Sequence, residues 1–226
     1  MSLNFQTVPL VESGLGKISI LSDICSKLNI KKPLIITDQG LFKLGFVEKI
    51  EKNLTIKNIF PSVYNKVLAD PPESNIFEAV DLYKNHKADG VIGFGGGSSM
   101  DVAKAISAMS VNIGHVREYK PPAELKKCGL PIILLPTTGG TGAECTKWAV
   151  ITDSASNEKY NLSGPAFVAK AAVIDWKLTL TKPARLTADT AVDSLTHAIE
   201  AFVSRKASPF TDTLALSAMQ LIANSS

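Results

Sequence analysis

The chain has 226 residues, of which 45% are hydrophobic and 20% charged, and a formal net charge of +3. That is ordinary globular material, enough for one large domain or one and a half. The lysines are scattered and no apolar run approaches the roughly 20 residues of a membrane span, so the composition argues against nucleic-acid and membrane partners.

In chain order, residues 1–5 lack a signal-peptide pattern, and residues 1–3 read as a vector-derived remnant. Residues 13–28 carry Ile18, Leu21, Ile24 and Leu28 mostly at helical spacing. Residues 32–38 form a compact apolar strand ending in Asp38, and 39–54 read as one helix. A shorter strand is expected over 57–61. The paired prolines of 67–74 demand a loop, and 75–86 is an amphipathic helix.

The next stretch organises the chain. Val91 to Phe94 reads as a buried strand, breaks at Gly95-Gly96-Gly97, and resumes from Ser98 with Val102, Ala105, Ile106 and Met109 at helical spacing. Strand, glycine turn and helix start make an anion site, because free N–H groups and the helix dipole point at the ligand. The alternative is a tight strand-to-helix turn. Asp101 is expected to complement the helix dipole and Lys104 to be solvated. His86 and His115 are expected at the surface.

A fully apolar strand over 130–136 leads into Thr137-Thr-Gly-Gly-Thr-Gly-Ala-Glu144, a second glycine-rich turn whose Thr141 and Glu144 have capping-box spacing. Residues 148–153 and 159–162 read as a strand pair, and 171–175 as another apolar strand. Strands alternating with helices argue an α/β fold with a parallel, helix-covered sheet. After Pro183 the character changes: 189–203 and 211–222 read as helices with no strand between. The expected division is a nucleotide-binding α/β domain over 1–182 and the beginning of an all-α domain over 183–226. Cys25, Cys128 and Cys145 are widely spaced and odd in number, which outlines neither zinc site nor disulfide framework and makes the cytoplasm the default location.

Several residues can carry chemistry. Asp38 ends a strand, where open α/β sheets bind ligands. Its carboxylate can accept from both ribose hydroxyls and would repel a 2′-phosphate, favouring NAD over NADP; it can equally cap the following helix. Thr137, Thr138 and Thr141 offer hydroxyls to a sugar or phosphate, or merely bond the strand end. Asp193 and His197 share one helix face and can ligate one divalent metal, iron or zinc, or form a plain structural contact.

Three elements resemble those of the iron-containing, or group III, alcohol dehydrogenases. Gly95-Gly-Gly-Ser-Ser-Met-Asp-Val-Ala-Lys104 resembles that family's diphosphate loop. Pro136-Thr-Thr-Gly-Gly-Thr-Gly-Ala-Glu144 resembles its Pro-Thr-Thr-Ala-Gly-Thr-Gly-Ser-Glu element. Asp193-Ser-Leu-Thr-His-Ala-Ile-Glu200 resembles Asp-Ala-Leu-Thr-His-Ala-Ile-Glu, in which Asp and His bind the metal. The match covers the N-terminal portion of such an enzyme. It implies a Rossmann-like NAD domain followed by a helical metal-binding domain, and hydride transfer between NAD and a small alcohol or aldehyde with Fe2+ or Zn2+ as Lewis acid. By the same resemblance, Asp38 would hold the adenosine ribose. Gly96, Gly97 and Ser98 would hold the diphosphate, and Thr137, Thr138 and Thr141 would line the nucleotide site. Lys159 and Leu178 would lie toward the nicotinamide, and assembly would be homo-oligomeric. Gly139 stands for the usual Ala, Trp176 for Pro, and Asp70-Pro71-Pro72 for Asn-Pro-Thr. The family's two further metal-binding histidines would lie downstream of His197, so a piece of a longer protein or a truncated form is expected. The alternatives are a catalytically silent NAD-binding domain, or a dehydroquinate-synthase-like or glycerol-dehydrogenase-like enzyme on the same scaffold.

Overall fold

The apolar strands read from the sequence alternate their side chains between two cores, and this sets the architecture. A computed structural model describes residues 6–123, 125 and 127–224; the expectation for residues 1–3 falls outside them. In chain order the elements are β1 (Val11–Gly14), α1 (Leu21–Lys27), β2 (Pro33–Asp38), α2 (Gln39–Lys43), α3 (Phe46–Thr55), β3 (Ser62–Val67), α4 (Glu73–His86), β4 (Gly90–Gly95), α5 (Gly97–Met109), β5 (Ile132–Pro136), β6 (Trp148–Thr152), β7 (Lys159–Ser163), β8 (Ala171–Asp175), α6 (Ala184–Val203) and α7 (Pro209–Ala223). Six strands form one sheet in the order β1-β8-β5-β4-β2-β3, every pairing parallel, and β6 and β7 make a separate antiparallel hairpin.

Along β2, β4 and β5, Leu34, Ile36, Val91, Ile132 and Leu134 face one core with Ile76, Met100 and Ile106. Their neighbours Ile35, Ile92, Phe94, Ile133 and Leu135 face the other with Leu21, Ile24, Ile50 and Leu54. A parallel sheet covered on both faces needs apolar residues at every position, which is why these strands read as unbroken runs. The α/β fold expected from the sequence is therefore present.

Several boundaries differ. β1 takes the first residues of the 13–28 stretch, whose α-helix starts only at Leu21; with four residues and alternating partial exposure, β1 has no apolar run to announce it. The single helix expected over 39–54 is two, broken at Leu44-Gly45. The strand expected over 57–61 lies at β3 instead, because Lys57 and Asn58 still bond back to Leu54 and Thr55 as the helix closes. α6 starts at Ala184, five residues earlier than its apolar pattern suggests.

Two side-chain expectations are overturned in α5. Lys104 is not solvated: it is fully buried, and its Nζ donates to Thr146 O, Thr146 Oγ1 and Trp148 O at 3.1, 3.1 and 2.8 Å. Asp101 falls beyond the first turn of α5, where it was expected to complement the helix dipole; it is buried and accepts from Val150 N at 3.0 Å. Both side chains therefore pin β6 to α5. The Thr141–Glu144 capping box does not form either, since Gly142 occupies the cap position of a single turn over Ala143–Cys145 and has no side chain to cap it. His86 and His115 lie at the surface as expected, each partly covered. His86 Nε2 contacts Phe60 O at 3.0 Å, and His115 caps the turn over Val116–Tyr119.

Candidate functional site

The strand order reverses direction between β2 and β4, since β3 extends the sheet on one side and β5 on the other. At such a switch point the two strand-to-helix turns diverge and leave a crevice beyond the carboxyl ends of the strands. A cleft of about 500 Å³ lies there, lined by Asp38 from β2, Gly96, Gly97 and Ser98 from the start of α5, Thr137 and Thr138 after β5, and Leu178. Its apolar walls come from Leu41, Leu44, Leu68 and Leu186, which the sequence did not single out as site residues because they come from three separate segments.

Each lining group has a local cause. Gly95 has φ 148°, and a Cβ there would fall 2.6 Å from Ser99 Oγ, so only glycine lets the chain turn this sharply into α5. No side chain caps α5, whose N-cap is Gly96, so its first N–H groups are left for an incoming acceptor. The Thr138 hydroxyl is buried without a hydrogen-bond partner among the described residues, as a donor awaiting a ligand oxygen would be. Asp38 caps α2 through Oδ1, which accepts from Leu41 N at 2.9 Å, and it also lines the cleft. The two roles weighed for Asp38 are geometrically compatible, since its other oxygen makes no bond among the described residues.

A second cleft, of about 810 Å³, lies where α6 crosses the Thr137–Glu144 turn; its lining includes Asp101, Thr141, Asp193, His197 and Glu200. The Asp193 Oδ1 and His197 Nε2 atoms are 3.7 Å apart, on side chains that are each about half-exposed. Gly140 permits this crossing. A Cβ there would sit 2.9 Å from Asp193 Oδ2 and 3.1 Å from Thr190 Cβ, whereas a Cβ on Gly139 would meet nothing within 4 Å. Ser194 Oγ donates to Gly139 O at 3.2 Å, tying α6 to the same turn.

Thr141 therefore stands with the second cleft rather than the first, and separates the two: its methyl lies 2.9 Å from where a Gly97 Cβ would be. Lys159 lines neither cleft and instead pairs with Asp70 at 2.7 Å. Among the described residues no three His, Cys, Asp or Glu side chains converge, so Asp193 and His197 present two metal donors of chemistry suited to a borderline divalent ion. Beneath the turn, burial pushes the Asp101 carboxyl up to about 6 and the Lys104 ammonium down to about 8.

The family model for iron-containing alcohol dehydrogenase matches residues 9–176, and that for the C-terminal part of the Fe-containing alcohol dehydrogenase family matches residues 187–226. The chain belongs to the iron-containing alcohol dehydrogenase family. It is 36% identical over 219 residues to the NAD-dependent methanol dehydrogenase of Bacillus methanolicus, covering 97% of this chain and 58% of that one. It is 39% identical over 220 residues to long-chain-alcohol dehydrogenase 1 of Geobacillus thermodenitrificans, covering 96% and 55%. The crystal structure of a 1,3-propanediol oxidoreductase superposes with a TM-score of 0.96 at 31% identity, covering 99% of this chain and 59% of that chain. As a member of the family, this chain thus spans somewhat more than half the length of the relatives it matches. Among its described residues no helix is long and apolar enough to cross a membrane.

Proposed function

We propose that the chain is the dinucleotide-binding part of an NAD-dependent, metal-assisted alcohol dehydrogenase. In this reading residues 1–182 form the NAD unit and residues 183–226 open a helical unit that carries metal donors. The observation that supports it most is the cleft at the switch point, where an uncapped helix N-terminus, an unpartnered Thr138 hydroxyl and the Asp38 carboxylate border one space. Asp38 accepts from the ribose diol through the oxygen it does not spend on Leu41, and its charge disfavours the 2′-phosphate of NADP. The N–H groups at Gly96, Gly97 and Ser98 hold the diphosphate. Thr137 and Thr138 donate hydroxyls, and Leu178 packs on the nicotinamide side. Thr141 keeps the turn between the two clefts in place, and Lys159 approaches the nicotinamide only by leaving Asp70.

Asp193 and His197 would hold Fe2+ or Zn2+, both of which accept carboxylate and imidazole. A metal so held supplies Lewis acidity toward an alcohol oxygen. Catalytic zinc sites use three protein ligands, so the pair forms part of a donor set. The substrate class is a small alcohol or its aldehyde; the names of the relatives above share alcohol chemistry, from methanol to long-chain alcohols. A cytoplasmic, homo-oligomeric protein completes the proposal. The second reading, NAD binding without turnover by this chain alone, is favoured by the fact that both donors come from one turn of one helix.

Titration of NADH into the chain tests the reading: saturable enhancement of nicotinamide fluorescence is expected. His197→Ala is expected to remove metal-dependent alcohol oxidation and to leave NADH binding unchanged. Absence of saturation overturns the nucleotide assignment. Turnover that survives His197→Ala overturns the metal assignment.

A further inference from the structure

The residues lining the nucleotide cleft include two charged groups, Asp38 and Lys182. The sequence elements that carry the family resemblance do not contain Lys182, which stands next to Pro183 just ahead of α6. Its side chain is half-buried, and its Nζ donates to Thr190 Oγ1 at 3.3 Å. That hydroxyl is itself directed at Leu186 O and Thr187 O, at 2.9 and 3.1 Å, so it meets the lysine with a lone pair. No carboxylate pairs with Lys182 among the described residues, although the exposed Lys52 and Lys57 both have acidic partners. Burial alone draws its ammonium below the ordinary lysine range. A cation partly withdrawn from water, held by one neutral oxygen and sharing a cleft with free helix N–H groups, is a site for an anion.

We propose that Lys182 binds the diphosphate of the dinucleotide, acting with the N–H groups at the start of α5. The assignment rests on the nucleotide reading of the cleft and adds the cation that reading lacks. It also divides the two charges chemically: the acid takes the neutral ribose diol and the base takes the phosphates.

The test uses the full 226-residue chain with Lys182→Met and Lys182→Arg, and measures dissociation constants for NADH, NADPH, adenosine and inorganic pyrophosphate across a salt series. Loss of one charge-assisted bond predicts that Lys182→Met weakens NADH and pyrophosphate about tenfold. Adenosine binding should stay unchanged, the salt dependence of NADH binding should flatten, and Lys182→Arg should restore most of the affinity. Equal weakening of adenosine and NADH would mean that Lys182 only shapes the cleft, and would overturn the assignment. So would an unchanged NADH constant, or a larger loss for NADPH than for NADH, which would put the lysine at a 2′-phosphate. A wild-type chain that binds pyrophosphate through Lys182 but not NADH sinks the nucleotide reading and upholds the anion site. One that binds neither sinks both.

Discussion

Two helices carry the two clefts, and they are built in opposite ways. α5 buries ten of its thirteen residues, including Lys104 and Asp101. α6 buries one of its twenty, Ala198, and leaves Val192, Ile199 and Val203 exposed. The switch-point cleft therefore stands on a helix fixed from all sides by sheet, hairpin and buried polar bonds. The Asp193–His197 pair stands on a helix held mainly by α7 and by the glycine turn beneath it. A site of the first kind is preorganised by the fold around it, whereas a site of the second kind depends on whatever else approaches the helix.

The largest expected effect separates the two helices by stability. Lys104→Met removes the side-chain donor to Thr146 O and the shortest donor to Trp148 O, and leaves Asp101 without a nearby cation. Breaking such a buried set costs about 3–5 kcal/mol, to be read in urea unfolding. His197→Ala and Asp193→Asn, at half-exposed positions, should fall within about 0.5 kcal/mol of wild type. Equal losses on the two helices would break the comparison.

Next in size are the adjacent glycines under α6. Gly140→Ala sets a methyl against Asp193 and Thr190 and should cost about 1–3 kcal/mol, the usual penalty of overpacking. Gly139→Ala meets open space and should be neutral or stabilising by less than about 1 kcal/mol, through the unfolded chain. Thermal unfolding of the pair would show whether the turn or the helix sets the crossing. The same contrast explains why Gly139 can stand where the family resemblance leads one to expect alanine.

Asp38 separates capping from recognition. Asparagine caps helices as well as aspartate does, so Asp38→Asn should leave the melting temperature nearly unchanged while weakening NADH about tenfold, by removing a charge-assisted bond. A loss of stability without a loss of affinity would leave Asp38 a cap alone.

The smallest effect is a pH dependence. Lys104 has its pKa lowered to about 8 by burial, against about 10.4 in the unfolded chain. Between those values the unfolded state binds more protons, so the free energy of unfolding rises with pH. That slope should be present in wild type and missing in Lys104→Met.

Much of the fold could be read from the chain. The β4–glycine–α5 unit, β5, the hairpin and β8 each announce themselves through unbroken apolar runs or abrupt glycine turns, which are local signals. What escaped was set by distant partners. β1 is a strand because β8 lies beside it, Val11 pairing with Ala172. Lys104 was assigned to solvent on residue type, yet its partners are more than forty positions away. A signal was available: apart from Asp101 and Lys104 themselves, the helix from Met100 to Ala108 is small or apolar, and a helix that is mostly apolar around its circumference is buried. At the site, Asp38, Gly96, Gly97, Ser98, Thr137, Thr138 and Leu178 share one cleft as the motifs suggested. Thr141 and Lys159 do not line it, because a turn and an ion pair place them elsewhere.

The central claim is that the switch-point cleft holds the dinucleotide, and backbone amide chemical shifts recorded while NAD+ is added test it most directly. The account predicts that the largest shifts fall at Leu41, Gly96, Gly97, Ser98 and Thr138, with Lys52 and Thr55 on the far face of α3 unmoved. Shifts centred on α6 or α3, with the Gly96–Ser98 amides unchanged at saturation, would contradict it.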